Sequence, residues 1–479
     1  MIFMTLSGWV LSLSQRLHHA TMLLAVMTTW TITAHSASNI PDVTTAHLNP
    51  GYWQSKLAND DKMAMKNSQI AAFNHQLFAS NPHMKKPLDR PDSLDGAALK
   101  AQINEISSLP QSARFYADGK RLSQQDYQPY LDNLNIKGIK ARNPLHFGLV
   151  VARSAMRTFP TLDRVFNEQM DLDLDRFQET ALFPGEAVAI LHISTDEQWY
   201  LVQNYNYLGW VQSTGIALGK RQEIRRFINN PHFLVVTGAK VMTSYVPGES
   251  GISEVQLDMG VKLPLLNDTE QQGELYGQST AGSYQVKLPV RNDDGSLSIK
   301  TALIGRTQDV HQGYLDFTPA NVIGQAFKFL GERYGWGHDY NGRDCTGFIG
   351  EIYKSFGILM PRNSGQQGNS DYGTNFRFDN NADLASKLAV IEQLQVGDLI
   401  YIPGHVMMFL GQDNGQPFVI HDVKGLAYWT PEGEYYSGVL NAVAVTPLIS
   451  LHLNRSTTYL DKIYNIKRIA ITLPDSQGP

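Results

Sequence analysis

The chain has 479 residues, 42% of them hydrophobic, and a formal net charge of −5. This length predicts about three domains at the usual one per ~150 residues, each able to bury a core without disulfides. The slightly negative charge, with no block of basic residues, disfavours nucleic acid and anionic membrane surfaces as partners.

The N-terminus reads as a secretory signal, which we predict to span residues 1–37. Arg16 and two histidines precede an apolar run at residues 20–30, and small residues follow at 34–38. The apolar run is too short for a comfortable membrane span. We therefore expect export to the periplasm or the extracellular space, with no integral membrane span after cleavage. An uncleaved N-terminal anchor is the alternative.

Residues 38–137 are predicted to form a mostly helical, clasp-like N-terminal module. The segment is polar and interrupted by prolines, and helical spacing of apolar residues returns only around residues 97–106. It contains no candidate catalytic set, so we expect it to pack on the rest of the chain as a structural piece.

Two β-rich blocks follow, and we predict small SH3-like barrels at residues 138–220 and 232–308. In both blocks, short runs rich in β-branched and aromatic residues alternate with turn residues. The strands around Trp199 and Trp210 resemble the closing strands of a bacterial SH3-like domain. Neither block contains a nucleophile and a base, so both are interpreted as binding or wall-forming modules.

An acidic insertion in the first barrel raises the question of a calcium site. It carries Asp163, Asp171, Asp173 and Asp175 but lacks the central glycine and the distal glutamate of an EF-hand loop. The histidines also lack the paired spacing of a zinc site. We expect a solvated loop, no metal and no cofactor.

The last block, residues 318–473, contains the only cysteine of the chain, Cys345. Apolar positions downstream have the three-and-four spacing of a helix, which places Cys345 in its first turn with Asp344 as the N-cap. The helix N-terminus is expected to lower the pKa of this thiol and to favour the thiolate. Exported chains ordinarily pair their cysteines, so a single one indicates a chemical role. A small hydrophobe in a core is the alternative.

A nucleophilic thiol needs a base and a third polar group that holds the base. The block runs from helix to antiparallel strands, which is the papain-like order. His405 begins a strand beside a turn, and His421 lies on the partner strand, where one hairpin register puts both on the same face. Asp422 is the rival third group, although it should point to the opposite face from His421.

Five segments of this block resemble the NlpC-type cell-wall cysteine peptidases and occur in that family's order across residues 319–473. They are Tyr334-Gly335-Trp336-Gly337, Asp344-Cys345-Thr346-Gly347-Phe348, Pro361-Arg362-Asn363-Ser364, Val396-Gly397-Asp398-Leu399 and His405-Val406-Met407-Met408-Phe409-Leu410-Gly411. Multi-domain members also carry a clasp and two SH3-like domains. The resemblance thus implies an α+β chain, in which a papain-like catalytic domain follows two small all-β barrels and a mostly helical module.

The resemblance also implies roles for individual catalytic residues. Cys345 would be the nucleophile, His405 the general base and acid, and His421 the orienting residue. Tyr334 matches the tyrosine that helps to form the oxyanion hole, beside the amide of Cys345. His338 stands where the family usually has a glycine, and it is a competing candidate for the base.

The substrate-binding residues follow from the same resemblance. Asp344 and Thr346 fall on the positions that hold the free amine of an N-terminal L-alanine, with threonine in place of the family's serine. The first SH3-like domain often walls off the substrate groove, and either Tyr205 or Tyr207 could supply that wall; Tyr207 is our prediction.

The predicted function is that of an exported, monomeric thiol protease similar to dipeptidyl-peptidase VI. It would hydrolyse peptidoglycan stem peptides or muropeptides at the γ-D-glutamyl-L-diamino acid bond and prefer a free N-terminal L-alanine. Two alternatives remain open at this point. One is an amidase or endopeptidase that acts on intact cell wall, and the other is a non-catalytic wall-binding protein with SH3-like domains.

Overall fold

A computed structural model describes residues 40–57, 62–379 and 381–469. The predicted signal segment and its cleavage site lie outside the described residues. Residues up to Thr45 form a unit of their own, of which the described part is a turn where Val43 N–H donates to Ile40 O. The residues from Ala46 onward form the second unit, and its architecture is α+β, as predicted.

The N-terminal part of this unit is mostly helical. Its elements are α1 Pro50–Ser55, α2 Asn67–Ser80, β1 Ser93–Asp95, α3 Gly96–Ile106 and α4 Gln124–Asn133. Asp95 caps α3 and Ser123 caps α4 through side-chain oxygens that accept backbone N–H groups. Trp53 of α1 is fully buried, and its ring lies 5.4 Å from that of Phe418 in the C-terminal domain. The helical part is therefore packed on that domain.

The first β-rich block forms a seven-stranded antiparallel sheet. Besides β2 Arg142–Pro144, which lies outside this sheet, the block contains β3 His146–Val150, β4 Ser154–Arg157, β5 Gln178–Leu182, β6 Ala187–Ile193, β7 Trp199–Gln203, β8 Leu208–Gln212 and β9 Ile216–Leu218. Their order in the sheet is β5-β4-β8-β7-β6-β3-β9, while β2 pairs with β1 instead. Trp210 belongs to the hydrophobic core and has no exposed surface. The short helix α5, Arg221–Ile228, follows.

The acidic insertion between β4 and β5 is not simply a solvated loop, contrary to our expectation. Asp175 is buried and lies 3.0 Å from the guanidinium of Arg157. Asp173 is bonded to Arg333 at 2.7 Å, and Asp171 is bonded to Lys424. The carboxylates therefore join the first β-rich block to the C-terminal domain.

The second β-rich block is divided among several small sheets. Its strands are β10 Phe233–Val236, β11 Lys240–Met242, β12 Gln256–Asp258, β13 Lys262–Pro264, β14 Glu274–Leu275, β15 Gln278–Ser279, β16 Ser283–Arg291, β17 Leu297–Gly305 and β18 Val310–Gln312. One sheet has the order β13-β10-β18, and the others are antiparallel pairs. The predicted turn before Ser296 joins β16 to β17, with Gly295 at a φ of 86° that favours glycine. The assignment as a second SH3-like barrel stays a prediction.

The C-terminal domain places one helix against a large sheet. Its helices are α6 Pro319–Phe327, α7 Cys345–Lys354, α8 Ser364–Asn369, α9 Leu384–Ile391 and α10 Tyr459–Lys462. Its strands are β19 Thr374–Arg377, β20 Leu399–Ile402, β21 His405–Asp413, β22 Gln416–Trp429, β23 Tyr435–Pro447, β24 His452–Asn454, β25 Thr457–Thr458 and β26 Asn465–Arg468. The main sheet order is β19-β26-β20-β21-β22-β24-β25, and β23 also pairs with β22.

Helix α7 contacts β21 and β22 of this sheet. Its apolar residues Phe348, Ile349 and Ile352 have no exposed surface, which accounts for the helical spacing in the sequence. The helix therefore presents its first residue, Cys345, beside the start of β21. Among the helices in the described part of the chain, none is long and apolar enough to cross a bilayer.

Candidate active site

The thiol of Cys345 lies at the N-terminus of α7 and is 7% exposed. Asp344 caps the helix by accepting the N–H of Gly347 at 2.8 Å. Burial, reinforced by the charge on Asp344, raises the pKa of the thiol to about 12. The expectation of a lowered thiol pKa was therefore wrong, because desolvation of the thiolate outweighs the helix N-terminus.

The two predicted histidines are in contact with each other. His405 Nε2 lies 2.8 Å from His421 Nδ1, and His421 Nε2 lies 3.0 Å from the hydroxyl of Thr446. His405 can accept a proton at Nδ1 only if its Nε2 carries one and donates it to His421. His421 then donates from Nε2 to Thr446, so this chain of bonds orients the His405 ring. Asp422, the rival third group, makes no bond to either ring.

The thiol of Cys345 and the imidazole of His405 are both uncharged in the resting state. Burial lowers the pKa of His405 to about 4 and raises that of Cys345 to about 12, so between these values the imidazole and the thiol are both neutral. Attack by sulfur then requires the thiol proton to pass to His405 as the new bond forms, which is the task of a general base.

This protonation state predicts the acid limb of the pH profile. The imidazole can accept a proton only above its own pKa, so kcat/KM should fall as the pH drops through about 4 rather than through the ordinary histidine value of ~6.5. The measurement is kcat/KM from about pH 3.5 to about pH 8, with circular dichroism to verify that the protein stays folded. An acid limb near pH 6.5 would contradict a neutral, buried base.

The hydroxyl of Tyr334 is a hydrogen-bond donor that is available at the site. The residue is 7% exposed, and burial, reinforced by the charge on Asp344, raises its pKa well above the ordinary value. The hydroxyl therefore keeps its proton. It has no hydrogen-bond partner within residues 40–57, 62–379 and 381–469, so the O–H remains free to donate.

The carboxylate of Asp344 is fully bonded inside the protein. Arg362 donates to both of its oxygens, at 3.1 and 2.7 Å, and the N–H groups of Gly337 and Gly347 and the hydroxyl of Thr346 add three more bonds. The charge of Arg362 holds the pKa of this buried carboxyl well below its ordinary value. A ligand that reached Asp344 would therefore meet an ion pair rather than a bare carboxylate.

His338 is not placed to act as the base. Its Nε2 lies 3.0 Å from the Glu351 carboxylate, and its Nδ1 lies 3.3 Å from both Arg362 and Thr180. The ring is buried against Gly347, where an added Cβ would come within 2.6 Å of Nε2. Both nitrogens are therefore occupied, and the glycine leaves room for the ring.

A strand of the first β-rich block forms one side of the site. Glu179 on β5 accepts the hydroxyl of Tyr207 through one oxygen and that of Thr158, at 2.8 Å, through the other. The next residue, Thr180, accepts a bond of 2.6 Å from Arg362. Burial raises the pKa of Glu179, and the bonded hydroxyls and Arg362 oppose that shift. Of the two candidate wall tyrosines, Tyr207 is the one tied to this cluster.

Two family profiles match parts of this chain. The profile of the NlpC/P60 family matches residues 331–444, which include Tyr334, Cys345, His405 and His421. The chain therefore contains an NlpC/P60 domain. The profile of the SH3 domain of the SH3b1 type matches residues 160–212, so an SH3 domain precedes the NlpC/P60 domain.

Two relatives of known identity extend the comparison beyond the NlpC/P60 domain. A gamma-D-glutamyl-L-lysine dipeptidyl-peptidase of Bacillus cereus is 28% identical over 260 residues, which cover 49% of this chain and 66% of the relative. The solved structure of an NlpC/P60 endopeptidase from Photobacterium damselae subsp. piscicida has a TM-score of 0.67 at 19% identity. That likeness covers 86% of this chain and 94% of the other, and it shows a shared fold.

Four residues at the site of this NlpC/P60 domain were not assigned from the sequence. They are Glu179, Thr180, Arg362 and Thr446. Arg362 lies within the Pro-Arg-Asn-Ser segment, so its motif was visible in the sequence, whereas its bond to Asp344 was not. Glu179 and Thr180 belong to the SH3 domain, and no local signal in the sequence links them to Cys345.

Asp422 is a buried carboxyl group of the NlpC/P60 domain to which no role has been assigned. It has no exposed surface, and neither carboxylate oxygen has a hydrogen-bond partner in the described part of the chain. Burial, together with the charges of Asp344 and Glu332, raises its pKa well above the ordinary aspartate value. A buried polar group without a partner reduces stability by about 1–3 kcal/mol.

We expect Asp422→Val to raise the free energy of unfolding by about 1–3 kcal/mol, because it removes this unpaired group. The folded state holds a proton that the unfolded state releases, so the wild-type protein should lose stability as the pH rises above the ordinary aspartate range. The gain should therefore be larger at about pH 8 than at about pH 5 in urea unfolding. Asp422→Asn, which cannot ionise but stays polar, is the matched control. A destabilised Asp422→Val variant would mean that the carboxyl has a partner.

Proposed function

We propose that this protein is an exported cysteine peptidase of the periplasm or extracellular space that hydrolyses peptidoglycan stem peptides. The bond cleaved is the one between γ-D-glutamate and the L-diamino acid, and a free N-terminal L-alanine is preferred. The observation that carries the proposal is the bonded set of His405, His421 and Thr446 on the sheet, together with Cys345 at the first turn of the helix that packs on the strand beginning at His405. The Bacillus cereus relative, named for a γ-D-glutamyl-L-lysine substrate, supports the choice of bond.

In the proposed reaction the Cys345 sulfur attacks the γ-carbonyl carbon of D-glutamate while the thiol proton passes to Nδ1 of His405. The C–N bond then breaks as His405 gives that proton to the leaving amine, and a thioester remains. Water attacks the thioester, loses a proton to His405 and releases the free carboxyl group, and the sulfur regains the proton. The free hydroxyl of Tyr334 and the amide of Cys345 stabilise the oxyanion in both steps.

The charges beside the nucleophile support recognition of a free amine. Asp344 and Glu179 are two carboxylates, and the cation Arg362 is bonded to Asp344 and to Thr180, the residue next to Glu179 in the chain. With both acids ionised, the cluster lacks one positive charge, and a buried charge needs a partner. An ammonium group supplies it. Because Asp344 is saturated, we propose that the amine contacts Glu179 and the hydroxyls of Tyr207 and Thr346, with Asp344 acting through its charge.

The test is hydrolysis of L-Ala-γ-D-Glu-diaminopimelate with and without an acetyl cap on the alanine. The free-amine peptide should be cleaved with a kcat/KM at least about 100-fold above that of the capped peptide, because the cap removes a charged hydrogen bond and adds bulk. Equal cleavage of the two peptides would support the peptidase activity but contradict recognition of the free amine. It would favour an enzyme that acts on intact cell wall. Binding of whole wall without cleavage of either peptide would favour a non-catalytic wall-binding protein.

Glu179→Gln separates amine recognition from catalysis in the same assay. The variant should raise KM for the free-amine peptide by about 10- to 100-fold, the worth of one charged hydrogen bond, with kcat nearly unchanged. Tyr205→Phe is the matched control, since Tyr205 neighbours the same wall but makes no contact with Glu179. A loss of kcat with an unchanged KM would place Glu179 in support of the nucleophile instead.

A further inference from the structure

A cavity of about 480 Å³ lies where the helical module, both β-rich blocks and the NlpC/P60 domain meet. It is distinct from the site around Cys345, although Tyr205, the alternative candidate for the wall of that site, lines it. Its walls combine apolar and aromatic side chains, including Phe78 and Tyr314, with the charged groups considered below. A cavity of this size accommodates a small molecule.

The charged groups of the cavity are mostly cationic, although the chain as a whole has a net charge of −5. Five lysine or arginine side chains line it, against two carboxylates: Lys85, Lys86, Arg225, Lys262 and Lys354 against Asp89 and Glu186. Both carboxylates are already paired, Asp89 with Arg225 at 3.0 Å and Glu186 with Lys354 at 2.9 Å. Lys85, Lys86 and Lys262 have no carboxylate within 4.0 Å in the described part of the chain.

Lys262, on β13, is the least solvated of the three lysines without a carboxylate partner. Its ammonium lies 4.3 Å from the centre of the Phe233 ring and 5.9 Å from that of Tyr314. Burial lowers its pKa, and no acidic neighbour opposes that shift. The aromatic rings beside the Lys262 ammonium offset only part of the free-energy cost of its desolvation, and an anion in the cavity would offset the rest.

We propose that this cavity binds a small anion with two or more negative charges, carried by carboxylate or phosphate groups, and that Lys262, Lys86 and Lys85 hold those charges. Lys262 binds from the wall of the cavity, and the exposed Lys85 and Lys86 bind from its rim. Lys85 N–H also donates to Tyr205 O at 2.8 Å, two residues before Tyr207. A bound anion therefore stabilises the segment that carries one wall of the active site.

The proposal is tested by calorimetric titration of the full chain at low ionic strength, with inorganic phosphate in one series and citrate in another. Each probe should bind saturably with one site per chain. Lys262→Met, which keeps the length and the apolar contacts of the side chain, should weaken binding about tenfold or more, and Lys86→Met should weaken it several-fold. Lys137→Met removes an exposed charge outside the cavity and should leave the affinity within about twofold.

The two probes also distinguish the source of the charge. Tighter binding of citrate assigns the cavity to a polycarboxylate, and tighter binding of phosphate assigns it to a phosphate-bearing ligand. The proposal fails if neither probe binds saturably, or if Lys262→Met and Lys86→Met, with unchanged thermal unfolding, bind both probes as the wild type does. Peptide hydrolysis is measured separately, so this failure would not touch the proposed peptidase activity.

Discussion

Replacing Cys345 by alanine is expected to lower kcat for the free-amine stem peptide by about 10⁴-fold or more. The variant has no atom that can form the thioester, and loss of a nucleophile from a cooperating set removes nearly all of the catalysis that the set provides. The fold should survive, because a single sulfur is lost beside the sheet while the Asp344 cap and the apolar face of α7 remain. Single-turnover hydrolysis and thermal unfolding of the same preparation measure both effects.

Variants of His405 and a serine at position 345 test whether the thiol and the imidazole act together. His405→Ala should be nearly as inactive as Cys345→Ala, and the double variant should be no worse than either, because the two residues act as one unit. Cys345→Ser keeps the shape but has a much weaker nucleophile, so its activity should lie near that of the alanine variant. Retained hydrolysis in Cys345→Ala would mean that a water molecule, and not a thiol, attacks the peptide.

The proposed nucleophile and its two histidines could be selected from the sequence because each carries a local signal. Cys345 precedes a run of apolar residues with helical spacing, while His405 and His421 stand in strands bounded by turns. Their contact depends on a register in which Met408 faces Ile420 and on a bulge between Phe409 and Gly411. Turn chemistry alone does not specify such a bulge, which is why the sequence left the register open.

The surroundings of Asp344 could not be predicted, because its partners are far apart in the chain. Arg362 bonds Thr180, which is 182 residues away, and both residues contact His338. The raised pKa of the Cys345 thiol also depends on residues that are far away in the chain. A helix N-terminus is visible in the sequence, whereas the desolvation that outweighs it depends on how β21 packs over Cys345.

The second large effect is expected at Arg343, two residues before Cys345. Its guanidinium has no exposed surface, and all five of its N–H groups are used. They donate to Glu351 at 2.7 Å, to both oxygens of Glu332 at 2.7 and 2.9 Å, to Asp258 at 2.9 Å and to the Ala239 carbonyl at 2.9 Å. Arg343 therefore joins α7 to the second β-rich block.

Arg343→Leu should lower the free energy of unfolding by about 3–5 kcal/mol, since it removes the buried cation that Asp258, Glu332 and Glu351 share. Arg153, 3.5 Å from Asp258, and Lys240, 3.0 Å from Glu332, replace it only in part. Arg333→Leu is the matched control. Arg333 bonds Asp173 from a side chain that is 55% exposed, and its loss should cost about 1 kcal/mol or less. Urea unfolding of both variants measures the difference. Equal losses in the two would contradict a central role for the buried cluster.

The pH dependence of the Arg343→Leu variant identifies the cause of its instability. Burial already raises the pKa of Asp258, and Arg343 is the nearest cation that opposes the shift. Without that cation the folded state should hold protons that the unfolded state releases, so the variant should lose stability relative to the wild type as the pH rises. The gap should be wider at about pH 8 than at about pH 5. A gap independent of pH would point to lost packing against Phe329, over whose ring the guanidinium lies at 4.4 Å, rather than to unpaired charge.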